Sequence, residues 1–298
     1  MDAKTGLVVA LGAFTLFYVV VFAMGLRKAA SEQPGSTTPT ISGLIVGAVT
    51  NFFDTLGIGS YAPTTSAFRF WKMVPDEQIP GTLNVGHTLP TITEAFIFIT
   101  AIAVEPTTLI ALIAAAVVGA WLGAGVVAGL SRRAIQIGMG CALVAGAALF
   151  ALKNVDAMRA TPVFPGGEAI GLSSTLLIVG IIGSAVLGAL MTLGIGFYAP
   201  CMIMIALLGM NPKSAFPIMM GACAFLMPVA SARFVRLRKF DAKAAVGLAV
   251  GGIPAVLIAA YIVKQLPLVY VRWGVVLVVL YAAVGLLRTA AKEKAARA

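Results

Sequence analysis

The octapeptide LGIGSYAP at positions 56–63 returns almost unchanged as LGIGFYAP at positions 193–200. The copies lie 137 positions apart, and the same offset aligns Pro75 with Pro212 and Pro80 with Pro217. Both copies place glycines and a proline inside long apolar stretches. Such a repeated break is typical of transporters built from two halves whose interrupted helices form a substrate site.

The composition indicates a protein of the lipid bilayer, because 60% of its residues are hydrophobic and only 11% are charged. A crossing of about 30 Å of hydrocarbon needs roughly 20 apolar residues. Seven runs have that length, near 6–26, 84–104, 107–130, 133–152, 213–232, 242–263 and 269–288. The two stretches that hold the motif, 40–70 and 175–210, are too long for one crossing, so each is predicted to enter and return as a hairpin.

The charges of the loops indicate on which side of the membrane each loop lies, because cytoplasmic loops are enriched in Lys and Arg. In the first half the basic segments are Arg69–Lys72 and Arg132–Arg133, whereas the corresponding loops of the second half are poor in Lys and Arg. The most basic loop, Arg233–Lys239, corresponds to the loop at Glu105, which is not basic. Corresponding loops therefore face opposite sides, which predicts inverted repeats. Membrane orientation also explains the net charge of +10 better than nucleic-acid binding does.

The predicted fold is an all-α polytopic membrane protein that forms a single membrane domain over 1–298. An extra N-terminal transmembrane helix covers 6–27, the first inverted repeat 40–152, an external linker 153–170 and the second inverted repeat 171–290. Each repeat comprises a Gly/Pro-broken hairpin and three transmembrane helices. The N-terminus is expected outside and the C-terminus in the cytoplasm. Whether the hairpins re-enter or span fully stays open.

The chemistry of the breaks favours anion binding. Glycines permit backbone angles that other residues avoid and let a ligand approach closely, while Pro63 and Pro200 suit the first turn of a new helix. A helix that starts inside the membrane points its unpaired N–H groups inward. The two tips are expected to meet there and to bind the substrate. The expected binding residues are Gly57, Ile58, Gly59, Ser60, Tyr61, Thr64 and Thr65, with Gly194, Ile195, Gly196, Phe197 and Tyr198.

Only the first half carries acidic or histidine side chains within its apolar segments. Asn84, His87, Thr91 and Glu94 share one helix face, and the second half has smaller residues there. Ionisable groups inside a membrane usually have a role, so His87, Glu94 and Asp54 are the proton-coupling candidates. The alternative for His87 and Glu94 is a structural hydrogen bond, and for Asp54 it is capping of N–H groups at the break.

With these motifs the chain resembles the TauE/SafE sulfite exporter family of small-anion permeases, whose duplicated halves each carry a glycine-rich motif followed by a proline. The resemblance covers roughly 40–290 and leaves the first helix as an addition. Here Ser60, Tyr61, Phe197 and Tyr198 replace glycines of the family motif, so the pocket is expected to be narrower or tuned to another substrate. The resemblance implies transport, commonly outward, of a small anion such as sulfite, an organosulfonate or an organic acid across a bacterial inner membrane. The mechanism expected for such a secondary transporter is alternating access, with the anion bound between the two hairpin tips.

Other functions stay open at this point. An anion channel could use the same hairpins, and a scaffold or receptor is a further alternative. An intramembrane serine hydrolase would need Ser60 and His87, the only histidine, as a dyad. No cofactor, metal or nucleic acid is expected. The expected partners are a small anion, protons and the lipid bilayer, and a homodimer is an open alternative.

Overall fold

The computed structural model describes residues 3–126, 132–158, 167–191 and 197–295, and its regular structure there is helical. Six helices in this part are long and apolar enough to cross a membrane. The expectation of an all-α membrane protein is confirmed. The helices are α1 (Ala3–Glu32), α2 (Ile41–Thr55), α3 (Tyr61–Phe70), α4 (Ile79–Ala101), α5 (Pro106–Val126), α6 (Arg132–Ala157), α7 (Ser174–Met191), α8 (Tyr198–Leu207), α9 (Ala215–Leu237), α10 (Ala242–Gln265) and α11 (Leu268–Ala295).

The helix boundaries repeat along the chain as the octapeptides do. Helices α3 and α8 have the same length and start 137 residues apart, each at the tyrosine of its octapeptide. The starts of α4, α5 and α6 recur 136 residues later as those of α9, α10 and α11. The starts of four helix pairs therefore recur at nearly the same spacing as the octapeptides, whereas α2 and α7 start 133 residues apart. The opposite orientation of the two copies remains a prediction.

The helices form two compact units, and neither unit coincides with one sequence half. Unit 1 comprises Met1–Ala101 with Cys223–Gln265, and unit 2 comprises Ile102–Ala222 with Leu266–Ala298. In unit 1, α2 of the first half packs on α10 of the second. In unit 2, α7 of the second half packs on α5 of the first. Each unit thus pairs helices that are far apart in the sequence.

Glycine makes the packing of α2 on α10 possible. A Cβ atom on Gly47 would lie 2.6 Å from the carbonyl oxygen of Gly247 and 2.7 Å from the Cα of Leu248. A Cβ on Gly247 would in turn lie 2.9 Å from the carbonyl carbon of Gly43. Small residues let membrane helices approach until their backbones touch, so this pair depends on bare glycine backbone.

In unit 2, helices α5 and α7 also pack closely through glycines. A Cβ on Gly119 would overlap the backbone of Ala185, and a Cβ on Gly188 would overlap the backbone of Ala116. The two long-range helix pairs are therefore built alike, although only the octapeptides stand out in the sequence.

Basic segments share one end of unit 1. Arg238, in the turn between α9 and α10, pairs with Glu32 at the end of α1 at 2.6 Å. The Thr82 hydroxyl at the start of α4 accepts from the Asp241 N–H at 2.8 Å. These contacts join the last turns of α1, which carry Arg27–Lys28, and the start of α4 to the turn that follows Arg233–Lys239. Phe68 and Val74, which flank Arg69–Lys72, belong to one buried cluster with Ile79 and Ala244, so that segment lies at the same end.

In unit 2, backbone hydrogen bonds join segments that contain few Lys and Arg residues. The Glu105 N–H donates to the Ile170 carbonyl and the Asn211 N–H to the Ala169 carbonyl, both at 2.8 Å. These segments are poor in Lys and Arg. Elsewhere in the unit, Arg133 Nε donates to the Ala290 carbonyl at 3.1 Å, which joins the basic start of α6 to the last turns of α11.

Glu105 caps the start of α5. Its carboxylate accepts from the backbone N–H groups of Thr107 at 2.8 Å and Thr108 at 2.6 Å, and from the Thr108 hydroxyl at 2.8 Å. Desolvation raises the pKa of Glu105, but these hydrogen bonds together outweigh it and lower the pKa from 4.5 to about 2. The carboxylate thus satisfies N–H groups that an uncapped helix leaves unpaired.

We expect Glu105→Ala to lower the free energy of unfolding by about 1 kcal/mol at neutral pH, the usual cost of losing an N-cap. Because the folded-state pKa is depressed, this stabilisation is present above pH 4.5 and is lost as the pH falls through about 2. Denaturant unfolding in detergent at several pH values measures it. Glu77→Ala is the control, since Glu77 is exposed; equal losses for both variants would contradict the capping role.

Candidate functional site

The first octapeptide ends α2 with a glycine turn. The Gly57 N–H donates to the Asp54 carbonyl at 2.7 Å, and the Ile58 N–H donates to the Phe53 carbonyl at 3.1 Å. Gly57 has a φ of 91°, as this helix-ending motif requires. Gly59 has the same φ, and a Cβ placed on it would meet no atom within 4 Å. The break therefore turns on two glycines, with open space beside the second.

Asp54 ties the two sides of the break together. Ser60 donates to its carboxylate from both the hydroxyl and the backbone N–H. Both residues are buried, with 3% of each exposed. Helix α3 begins at the next residue, so the carboxylate lies where the positive end of that helix favours an anion. This contact matches the capping interpretation of Asp54.

The backbone N–H groups that were expected to bind the anion are therefore partly bonded within the chain itself. The N–H groups of Gly57, Ile58 and Ser60 all have partners within the break. A ligand could use the space beside Gly59 and the first turn of α3. Pro63 lies in that first turn, as predicted.

His87 lies on α4 and contacts both helices of the break. Its Nδ1 is 2.9 Å from Asn51 Oδ1 on α2, and its Nε2 is 3.0 Å from Thr64 Oγ1 on α3. His87, Asn51 and Thr64 are each completely buried. The Asn51 amide nitrogen donates to the Gly47 carbonyl at 2.7 Å, which fixes its oxygen toward the imidazole.

Glu94 makes a similar contact two helical turns further along α4. Its Oε1 accepts from the Thr55 hydroxyl at 2.7 Å, and that hydroxyl also lies 2.8 Å from the Asn51 carbonyl. Glu94 and Thr91 are buried like His87. Asn84, the fourth residue of the predicted stripe, instead donates to the Pro80 carbonyl of its own helix. The structure thus buries three of the four stripe residues.

Tyr61, the first residue of α3, carries a polar atom without a partner. Its hydroxyl oxygen is buried and has no hydrogen-bond partner among the described residues. Its ring lies 5.8 Å from the His87 ring. Buried polar groups are nearly always bonded, so an orphaned one needs an explanation. The Thr65 hydroxyl, predicted to bind substrate, donates to the Tyr61 carbonyl at 2.7 Å.

The arrangement does not match a serine–histidine dyad. The Ser60 hydroxyl donates to Asp54, and the two ring nitrogens of His87 face Asn51 and Thr64. A general base must lie within hydrogen-bond reach of the nucleophile that it activates. The geometry therefore disfavours a hydrolase at this position.

The second octapeptide belongs to unit 2. Gly194, Ile195 and Gly196 lie outside the described residues. Phe197 and Tyr198 are buried at the start of α8, and Pro200 lies in its first turn, as predicted. Cys201 is fully buried.

Two polar contacts of unit 1 were not expected from the sequence. Asn51 is the partner of His87, and Thr88 Oγ1 lies 2.9 Å from Ser231 Oγ. Asn51 could have been found, because an amide in an apolar helix is costly without a partner. Ser231 occupies the position of Glu94 in the second half, so the repeat alignment pointed to it.

Comparison with known proteins gives one match. A family model described as Sulfite exporter TauE/SafE matches residues 1–150, which is just over half of the chain. The match includes α1, which the sequence resemblance had left outside as an addition. No curated protein and no solved structure matches the chain.

Proposed function

The chain belongs to the TauE/SafE sulfite exporter family, and we propose that it exports sulfite or a related organosulfonate or organic acid by proton-coupled alternating access. It is a multi-pass membrane protein, and its family and helical architecture support transport of an anion.

The observation that carries the proposal is the orphaned hydroxyl of Tyr61. A buried phenolic hydroxyl without a partner among the described residues is available to donate a hydrogen bond to a ligand. It lies beside the glycine break and next to His87, which could carry a positive charge when protonated. A donor, a helix start and a titratable imidazole together suit a small oxyanion.

Asp54 would repel such an anion if its charge were uncompensated. Two donors from Ser60 and the start of α3 offset that charge. The proposed anion contacts are therefore the Tyr61 hydroxyl and the backbone near Gly59, with Asp54 holding the break in shape. The hydroxyls of Thr64 and Thr65 already have hydrogen-bond partners within the chain. We therefore assign them to stabilising the conformation of the break and not to direct contact with the anion.

We also propose that the basic end of unit 1 is cytoplasmic. Three basic segments end there, and cytoplasmic loops are enriched in Lys and Arg. This assignment places the N-terminus outside, in agreement with the loop charges of the whole chain. The membrane is then the bacterial inner membrane that the family resemblance implies.

Purified protein in proteoliposomes provides the test. Uptake of sulfite, thiosulfate, sulfoacetate and acetate is measured with and without an imposed pH gradient. A carrier should saturate and should show trans-stimulation by the same anion, whereas a channel should show neither. If none of the four anions moves, the proposed substrate class is wrong.

Tyr61→Phe separates binding from packing. We expect anion uptake below saturation to fall about 10- to 100-fold, the range for a hydrogen bond to a charged group. Stability should stay equal or rise, because the variant removes a buried unpaired hydroxyl. Uptake kinetics and thermal unfolding in detergent measure the two effects.

Tyr18→Phe is the matched control for stability. The Tyr18 hydroxyl is also buried but donates to the Val85 carbonyl, so its loss should cost about 1 kcal/mol. If Tyr61→Phe were destabilising to the same degree and transported normally, Tyr61 would be a packing residue.

A further inference from the structure

We propose that Thr64 is the positioning residue that links proton binding at His87 to the backbone of the first break. The inference deepens the proposed function, because it assigns to named atoms the coupling that a proton-driven carrier needs. It rests on the hydrogen-bond geometry around the imidazole, where the available hydrogens can be counted.

The Asn51 amide fixes one side of the imidazole. Its nitrogen donates to the carbonyls of Gly47 at 2.7 Å and Leu248 at 3.4 Å. Its oxygen, which can only accept, is therefore the atom that faces His87 Nδ1. Nδ1 must carry a hydrogen, so in the neutral ring Nε2 is the acceptor.

Thr64 faces two acceptors but has one hydroxyl hydrogen. Its Oγ1 lies 2.7 Å from the Ser60 carbonyl and 3.0 Å from His87 Nε2. While the ring is neutral, Nε2 competes with the Ser60 carbonyl for this one hydrogen, so the carbonyl lacks the bond whenever the hydroxyl donates to Nε2. When Nε2 gains a proton it becomes a donor to Oγ1, and the Thr64 hydroxyl turns to the Ser60 carbonyl. The added proton stays on the ring, and only the hydroxyl hydrogen changes direction.

Ser60 transmits this change to the break. Its carbonyl receives or loses the Thr64 hydrogen bond, while its N–H and hydroxyl bond Asp54 across the break. Tyr61, which follows directly, carries the orphaned hydroxyl. A proton on His87 therefore adds one hydrogen bond at the residue that joins Asp54 to the proposed anion contact.

The other titratable groups around this site are neutral or acidic. Asp54 comes from α2, Tyr61 from α3, Tyr18 from α1 and Cys223 from α9. From α10, the nearest polar contact is the Leu248 carbonyl. Glu94 lies two turns along α4, about 10 Å away at 1.5 Å per residue. A proton on His87 would thus place a positive charge beside the proposed anion site.

The same geometry recurs at the other titratable residue of α4. The Thr55 hydroxyl lies within hydrogen-bond distance of both the Asn51 carbonyl and Glu94 Oε1. Here too a single hydrogen faces two acceptors while the carboxylate is ionised. Threonines at both sides of the break therefore contact a titratable group and their own backbone.

The sequence permits a direct test in the intact protein. His87 is the only histidine, so ¹⁵N-histidine labelling reports one imidazole. Ser60–Tyr61 is the only Ser–Tyr pair, so ¹³C-carbonyl serine with ¹⁵N-tyrosine isolates the Ser60 carbonyl. Both signals are followed by NMR against pH in lipid nanodiscs, without substrate.

In the wild-type protein we expect the Nε2 signal and the Ser60 carbonyl signal to change at one common pH. In Thr64→Val the carbonyl signal should become independent of pH, and the imidazole should titrate about one unit lower, the value of one lost hydrogen bond. Thr64→Ser, which keeps the hydroxyl, should restore both. Thr50→Val is the control, because Thr50 makes the same buried bond to its own helix at 2.7 Å and the imidazole is held by other residues.

The inference would be overturned if the Ser60 carbonyl signal of the wild-type protein did not change at the pH where the imidazole titrates. This result can be obtained even if no variant folds. A Thr64→Val protein that behaves like Thr50→Val would also overturn the inference. Transport is then measured separately with sulfite across the same pH range. If the NMR signals are linked but sulfite and the other test anions do not move, the proposed function fails while the Thr64 linkage stands. If sulfite moves but the signals are not linked, only the linkage fails.

Discussion

Gly47→Val should prevent the protein from reaching its folded state. The added side chain would meet the Gly247 carbonyl oxygen at 2.6 Å, the Leu248 Cα at 2.7 Å and the Leu248 carbonyl oxygen at 2.8 Å. All three are backbone atoms, so no side chain can turn away to make room. Overpacking costs about 1–3 kcal/mol even where side chains can adjust, which is a large share of a protein's total stability. Size-exclusion profiles and thermal unfolding after detergent extraction measure the loss.

Gly12→Val is the matched control, because Gly12 lies within α1 and a Cβ there would meet no atom within 4 Å. Gly47→Ala should fall between the two, with reduced yield and a lower unfolding temperature. A monodisperse Gly47→Val protein with wild-type stability would show that α2 and α10 do not pack through their glycines.

Asp54→Ala should lower transport at least 100-fold and destabilise the protein by about 2–6 kcal/mol. The reason is that the Ser60 N–H and hydroxyl would both lose their acceptor in a buried place, and each unpaired group costs about 1–3 kcal/mol. The break would lose the side chain that holds its two ends together. Uptake of the four anions and thermal unfolding measure the two effects.

Asp54→Asn distinguishes capping from proton transfer. The amide oxygen still accepts from Ser60, so a capping role predicts that more than one tenth of transport survives. A stable Asp54→Asn protein without transport would instead show that Asp54 must exchange a proton. The two variants therefore decide between the two interpretations that the sequence left open.

The position of the break was predictable from the sequence because its causes are local. Gly57 and Gly59 adopt positive φ values, and Pro63 falls in the first turn of the next helix. The burial of His87 and Glu94 was predictable as well, since a helix face carries residues three, four and seven positions apart. These inferences needed only the periodicity and the conformational limits of individual residues.

The partners of those residues were not predictable in the same way. Asn51 meets His87 from another helix, and Thr64 meets it from a third. Neither contact follows from spacing along one helix, because both depend on how α2, α3 and α4 pack. Capping of the break by Asp54 was one of two interpretations that the sequence left open, but its partner Ser60 was not predictable, for the same reason. This contact requires the turn at Gly57 and Gly59 to return Ser60 to the helix end.

The pairing of α2 with α10 has a consequence for how the protein is made. The two helices are separated by nearly two hundred residues of chain. At about 5–20 residues per second of translation, α2 leaves the ribosome roughly 10–40 seconds before its partner. During that interval Gly43 and Gly47, the glycines of α2 that contact α10, must remain in the membrane without their native neighbour. Insertion and final assembly are therefore separate events for this chain, and a slow ribosome would lengthen the time in which α2 can pair with the wrong helix.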